Sequence, residues 1–214
     1  MPRPQRELLR VTEINSFVNS SWYKYWVKST GSVAECDRIS KESSDFGTAV
    51  HRVVESFLLE KQAPTVTERQ QFCGNLMIEW CKQTDFKPLI INGKKCIEYT
   101  LISKKLGYIG HTDVIGTFGN ASTPYVCDWK TSKEIKLENI LQLAAYAHAL
   151  KEQDGIDCND GVIIRTPSDP NAKVQFEAKP FYDLKRFFPV FKEAVDLVNF
   201  FKKRGRWGKI LKGV

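Results

Sequence analysis

Asp113 stands in an apolar strand pattern, Gly107-Tyr-Ile-Gly-His-Thr-Asp-Val-Ile-Gly-Thr-Phe, and a second carboxylate, Asp128, follows fifteen residues later in Tyr125-Val-Cys-Asp-Trp-Lys-Thr-Ser132. Lys130 comes two positions after Asp128. On a strand it projects to the same side as Asp128, because strand side chains alternate with a period of two. Residues 119–124 have the composition of a turn, so the two strands are expected to be neighbours and the acids to converge on one divalent cation. A hard cation such as Mg²⁺ takes oxygen ligands and keeps several waters. It can activate one of those waters, neutralise a scissile phosphate and stabilise the leaving oxygen. A lysine beside it can orient the attacking water or stabilise transition-state charge. These are the parts needed to hydrolyse a phosphodiester, although an isolated Asp-x-Lys is more often a strand-end ion pair.

Three further groups could join them. His51 and Glu55 are spaced i, i+4 and share one helix face beside an apolar stripe; the histidine is either a hydrogen-bonded structural residue or a metal ligand. Gln142 and Tyr146 have the same spacing in the small, apolar run Gln142-Leu-Ala-Ala-Tyr-Ala-His-Ala-Leu. They could contact phosphate or a metal-bound water, or form a satisfied buried pair. Glu98 lies in the strand before Asp113 and faces either the same site or solvent, depending on register.

The elements that must position these groups are legible as periodicities. Residues 11–28 read as an amphipathic helix rich in aromatics (Phe17, Trp22, Tyr23, Tyr25, Trp26), which either stack on bases or form core. Residues 31–44 read as a polar connection. Asp45 is the expected N-cap of a helix over residues 46–59 with the stripe Val50, Val53, Val54, Phe57 and Leu58. Thr65-Val-Thr-Glu68 matches a capping box, and the helix after it carries Phe72, Leu76 and Trp80, with Cys73, Met77 and Cys81 beside them as core.

Residues 96–103, 107–118 and 125–131 are expected to form a three-stranded meander, followed by a helix over 137–151. Short strands are expected at 161–166 and 174–178. A final helix over 182–204 should be kinked or split by Pro189 and ended by Gly205, with Leu184, Phe187, Phe188, Phe191, Ala194, Val195, Val198 and Phe201 on its apolar face.

The order of the motifs is more specific than any one of them: Gly-Thr-x-x-His-x-x-x-Glu at 47–55, Glu98, Gly-x-x-Asp at 110–113, Asp-x-Lys-Thr at 128–131 and Gln-x-x-x-Tyr at 142–146. This order resembles the RecB-type nucleases of the PD-(D/E)XK superfamily, and Val11-Thr-Glu-Ile-Asn-Ser-Phe resembles that family's opening helix. Within the family the small size and Asp128-Trp-Lys-Thr-Ser look most like the stand-alone exonucleases of mitochondrial genome maintenance and of phages and viruses. The resemblance implies an α/β fold with a mixed central sheet flanked by helices, as one nuclease domain over 1–214. Its parts would be an opening helix and connection (1–45), the catalytic motifs (46–152), and strands, a long helix and a basic tail (153–214). It also implies that His51, Asp113, Asp128 and the Trp129 carbonyl hold Mg²⁺ or Mn²⁺ and that Lys130 is the catalytic lysine. Gln142 and Tyr146 would lie near the substrate backbone, and Glu98 would match an acid of less fixed role. Some members hold an iron–sulfur cluster on one cysteine after the opening helix and three near the C-terminus. Here Asn19-Ser-Ser21 stands at the first place and no cysteine follows Cys158, so no such cluster is expected.

Composition agrees with a DNA partner without requiring one. The 214 residues carry 32 Lys+Arg against 25 Asp+Glu, a net charge of +7, and residues 201–214 hold six Lys or Arg and no acid. Six cysteines without a Cys-x-x-Cys pair or a secretory segment point to reduced thiols in a cytoplasmic or organellar compartment rather than a secreted protein. No apolar run approaches the roughly 20 residues of a membrane span. No Gly-x-x-x-x-Gly-Lys-Ser/Thr loop is present, so a separate helicase or single-strand-binding protein is a plausible partner. The leading expectation is a metal-dependent exonuclease acting on single-stranded or frayed DNA ends in replication, recombination or repair. A structure-selective endonuclease and a catalytically silent nucleic-acid-binding module are the alternatives.

Overall fold

The computed structural model of the chain describes residues 8–18 and 32–204. The expected stacking residues Trp22, Tyr23, Tyr25 and Trp26, the side chain of Phe17, and the basic side chains after residue 200 lie outside the described residues.

Nine strands are described: β1 (Leu9–Arg10), β2 (Phe86–Pro88), β3 (Ile90–Ile91), β4 (Lys94–Lys95), β5 (Ile97–Ser103), β6 (Tyr108–Phe118), β7 (Tyr125–Lys130), β8 (Asp160–Arg165) and β9 (Glu177–Phe181). The helices are α1 (Val11–Val18), α2 (Val33–Leu58), α3 (Glu68–Gln83), α4 (Leu137–Asp154) and α5 (Phe188–Arg204). Seven strands form one mixed sheet in the order β1-β6-β7-β8-β9, with β5 and β2 both on the other edge of β6, while β3 and β4 make a separate hairpin. The expected meander is present: β5, β6 and β7 pair antiparallel in sequence. The α4 crossover then brings β8 parallel to β7, as a parallel pair requires.

Helices cover both faces of the sheet. On one face α1, α4 and α5 pack over Tyr108, Ile115, Val126 and Ile163. On the other, α2 and α3 pack over Val114, Cys127, Trp129, Val162 and Ile164. Neighbouring residues of β7 and β8 enter opposite cores, which is why both strands read as continuous apolar runs. All six cysteines are buried. Burial pushes the Cys81 and Cys158 thiols up to about 12, far from a reactive thiolate. Among the described residues no helix is long and apolar enough to cross a membrane.

Several local expectations are corrected. Residues 33–44 of the expected connection are helical, because α2 begins at Val33 with Ser32 rather than Asp45 as N-cap, its side chain accepting from the Glu35 N–H. This half of α2 is solvated and held by Arg38 paired with Glu35 and Glu42, so it shows little apolar periodicity. The capping box of α3 is Thr67 with Gln70 rather than Thr65 with Glu68.

The buried stripe of α3 is Cys73, Gly74, Met77 and Cys81, whereas Phe72 is exposed under the Arg69 guanidinium. Gly74 sets that choice: a Cβ there would come within 2.5 Å of Val53, so the glycine lets α3 lie close against α2. Phe57 of the expected α2 stripe is likewise exposed. Strand β9 lies three residues later than expected and contains Pro180, which an edge strand tolerates. Pro189 splits the last helix into a 3₁₀ turn (Leu184–Arg186) and α5. The short β1 and β2 and the β3–β4 hairpin were not expected; the hairpin turns on Asn92-Gly93, both with positive φ.

Candidate active site

The site grows from a gap in the sheet. Along one edge of β6, β1 pairs with Tyr108 and Ile109 and β7 pairs with Val114 to Gly116. Among the described residues, 110–113 between them have no strand partner on that edge, because β7 leaves β6 after the Cys127–Val114 pair and continues alongside β8. Side chains fill the opening. Asp113 Oδ2 accepts the Trp129 N–H at 2.6 Å, and Thr112 Oγ1 donates to the Cys127 carbonyl at 3.4 Å. The fork therefore aims Asp113 at β7, beside Asp128 and Lys130.

Glu98 completes the acidic group through backbone strain. The flanking pairs Ile97–Val114 and Tyr99–Thr112 put it opposite Asp113. Tyr99 and Leu101 pack into one core and Ile97 into the other, so β5 turns over at Glu98, whose φ is 48°. A non-glycine residue held there costs about 1–3 kcal/mol. His51, Glu98 and Asp113 each offer one ligand atom within 4.8 Å of the others.

Two helices bring in the remaining groups. On α2, Val50 and Val54 are buried in the core, and Gly47 lies where a Cβ would come 3.2 Å from Thr131 Oγ1. His51 is thereby held over the fork: Nδ1 is 3.2 Å from Asp113 Oδ1 and Nε2 is 3.0 Å from the Trp129 carbonyl oxygen. Both neighbours are acceptors and a neutral ring has one N–H, so the arrangement favours the imidazolium. Burial pulls the His51 pKa down, but the charge and hydrogen bond of Asp113, with Asp128 behind, carry it above its ordinary value.

On α4, Gln142 Nε2 donates to Tyr146 Oη at 2.7 Å, and Gln142 Oε1 accepts from Lys130 Nζ at 3.4 Å. Gly110 makes room for this, since a Cβ there would meet the Tyr146 ring at 2.4 Å.

The charges are tightly packed. Lys130 Nζ lies 2.5 Å from Asp128 Oδ2, a buried ion pair. Burial raises the Asp128 carboxyl; Lys130 opposes that rise and Asp113 reinforces it. Burial also acts to raise Asp113, but His51 and Lys130 bring it below its ordinary value. Lys130 would be lowered by burial and is instead held above its ordinary value by Asp128 and Asp113. Glu98 keeps solvent on its outer side, yet burial of its inner side and the Asp113 charge push its carboxyl up to about 7. The result is three carboxyls around two cations. That donor set, one imidazole and several carboxylate oxygens, fits a divalent cation.

The candidate site residues His51, Glu98, Asp113, Asp128, Lys130, Gln142 and Tyr146 are therefore linked around one fork. Asp128 joins through Lys130 and Gln142, while the ligand atoms of Glu98 group with His51 and Asp113. Trp129 contributes both its N–H and its carbonyl. Glu55 is half-buried and near enough for its charge to raise Glu98.

Sequence reasoning missed the flanking walls. Ser43, Ser44, Thr48 and Lys133 line a cleft ending at His51 and Lys130; Arg10, Thr12 and His111 line another ending at Gln142 and Tyr146. The only signal in the sequence was a scatter of hydroxyls and cations without periodicity. No protein-family model matches the chain, and no curated protein matches it.

Proposed function

We propose that this chain is a metal-dependent deoxyribonuclease of the PD-(D/E)XK type, an exonuclease acting on single-stranded or frayed DNA ends. The observation that carries the reading is the fork: Asp113 and Asp128 lie on two adjacent antiparallel strands at the point where they part, with Lys130 against Asp128 and His51 against Asp113. His51, Asp113 and Asp128 would hold Mg²⁺ or Mn²⁺, with Glu98 in the same group and the Trp129 carbonyl beside it. Once bound, the ion would supply a Lewis acid for water and for the scissile phosphate. Lys130 supplies a fixed positive charge for the anionic transition state. Gln142 orients Lys130 by accepting a hydrogen bond from its ammonium, and Tyr146 in turn accepts from the Gln142 amide. Asp113 keeps the fork open by holding the Trp129 N–H.

The test is degradation of 5′-labelled and 3′-labelled linear single strands beside a circular single strand, in Mg²⁺, Mn²⁺ and EDTA, for wild type and Lys130→Ala. Metal-dependent loss of the linear strands alone, absent in the variant, is expected. Cleaved circles would replace the exonuclease by an endonuclease. Intact DNA in every lane would remove the catalytic reading.

A further inference from the structure

Two clefts of about 540 Å³ each flank the site residues, one lined at its inner end by His51 and Lys130, the other by Gln142 and Tyr146. The first is walled by α2 and by the segments after β7 and β8; the second by β1, the start of α1, and β6. The chain Lys130–Gln142–Tyr146 connects their inner ends. Each volume lies in the range of about 300–1,000 Å³ that encloses a drug-sized molecule, which suits a nucleotide and not a duplex.

The chemistry of the linings is one-sided. Among the described residues neither cleft is lined by an Asp or Glu, in a chain with 25 of them and with Asp128 directly against Lys130. Lys133 and several hydroxyls line the first, and Arg10 and His111 the second. An acidic, cation-holding centre with acid-free, donor-rich clefts on both sides matches a polyanion that crosses the centre and continues both ways.

The walls of the first cleft are fixed in advance. Arg165 is 5% exposed; it pairs with Glu177 and donates to the Lys133 carbonyl at 2.7 Å. Arg69 donates to the carbonyls of Pro167, Ser168 and Asp169 at 2.6, 3.3 and 3.1 Å. Such pre-organisation lowers the ordering cost of binding.

We infer that one nucleic-acid strand occupies both clefts at once, its backbone phosphates on one side of the scissile bond meeting Lys133 and those on the other side meeting Arg10 and His111. This rests on the nuclease reading and adds to it that the substrate must extend in both directions from the bond that is cut.

The experiment is fluorescence anisotropy of a labelled single-stranded thymidine oligomer in EDTA, where no cleavage occurs, titrated across salt concentrations. Lys133 and Arg10 are exposed, so Lys133→Ala and Arg10→Ala leave the core intact, and Ser44→Glu places an anion in the first cleft without touching it. Each alanine variant should weaken binding by about three- to tenfold and reduce the salt slope by roughly 0.7, the value for one phosphate contact on a single strand. The double variant should lose both increments, and Ser44→Glu should weaken binding at least as much as Lys133→Ala. Wild-type affinity and slope in either alanine variant would overturn the two-cleft path, while metal-dependent cleavage by the same preparation would leave the nuclease reading standing. No binding and no cleavage by the wild type would remove both.

Discussion

The N–H of Trp129 donates to Oδ2 of Asp113 at 2.6 Å, across the point where β6 and β7 stop pairing. One carboxylate oxygen thus takes over from the sheet ladder, and the other faces His51. Asp113→Ala should therefore cost stability as well as activity. Leaving a buried N–H without an acceptor costs about 1–3 kcal/mol, whereas Asp113→Asn keeps an acceptor and should lose less. Urea denaturation of the two variants separates them; equal losses would mean that the fork does not depend on this bond.

Lys130→Ala removes the charge beside an Asp128 that is 2% exposed. Breaking a buried pair from one side costs about 3–5 kcal/mol, less whatever Asp128 recovers by taking a proton. Asp128→Asn in the Lys130→Ala background should recover part of the loss. Activity should fall by roughly 10²–10³-fold, the scale for one group that stabilises transition-state charge. A Lys130→Ala protein with wild-type cleavage would show that this lysine is structural only.

In the absence of metal, stability should decline as pH rises through neutrality. Glu98, ordinarily at 4.5, is held at about 7 by burial and Asp113, and Asp128 is raised above its ordinary 3.8 by burial against the opposing Lys130. Each binds its proton more tightly in the folded state, so its contribution is full below those ordinary values and is lost as pH climbs through the folded ones. His51, raised above 6.5 by Asp113 against burial, has the same sign, its contribution full below 6.5 and lost above it. Asp113, lowered below 3.8 by His51 against burial, has the opposite sign and matters only in acid. Melting temperatures in EDTA should accordingly fall between about pH 5 and 8; a rise over that range would contradict these assignments.

Metal uptake should release protons, because His51 must become neutral and the carboxyls ionised to act as ligands. Apparent affinity for Mn²⁺ should rise over the same pH range in which stability is lost. Calorimetric titration in two buffers of different ionisation enthalpy reads the released protons directly; a heat that does not depend on buffer would mean that these groups do not hold the ion.

Gly110→Ala places a Cβ 2.4 Å from the Tyr146 ring. The ring must move, and Gln142 with it, since Gln142 donates to Tyr146. Cleavage should drop by about tenfold or more, in keeping with the cost of small displacements at a reacting centre, while the variant remains folded by circular dichroism. Unchanged activity would mean that the Gln142–Tyr146 pair does not position Lys130.

Much of the framework was legible because it is local. The meander followed from β-patterned runs with turn residues between them, and α4 from its Leu- and Ala-rich composition. The split at Pro189 followed from a missing N–H. What stayed illegible was the N-terminal half of α2, a solvated helix sustained by Arg38 and its two glutamates. The face that α3 buries was also illegible, because a glycine contact with Val53 on another helix decides it.

For the site, the sequence by itself determined which chemical groups exist and which share a strand or a helix face: Asp128 with Lys130, Gln142 with Tyr146, His51 with Glu55. Local periodicity requires no more than that. Only the tertiary structure decided that these pairs meet. The parting of β6 from β7, the reversal of β5 at Glu98 with φ at 48°, and the seating of α2 and α4 against the sheet all depend on non-local packing. The same packing placed Arg10, Ser44 and Lys133, scattered along the chain, in two clefts, one reaching Lys130 and the other Gln142.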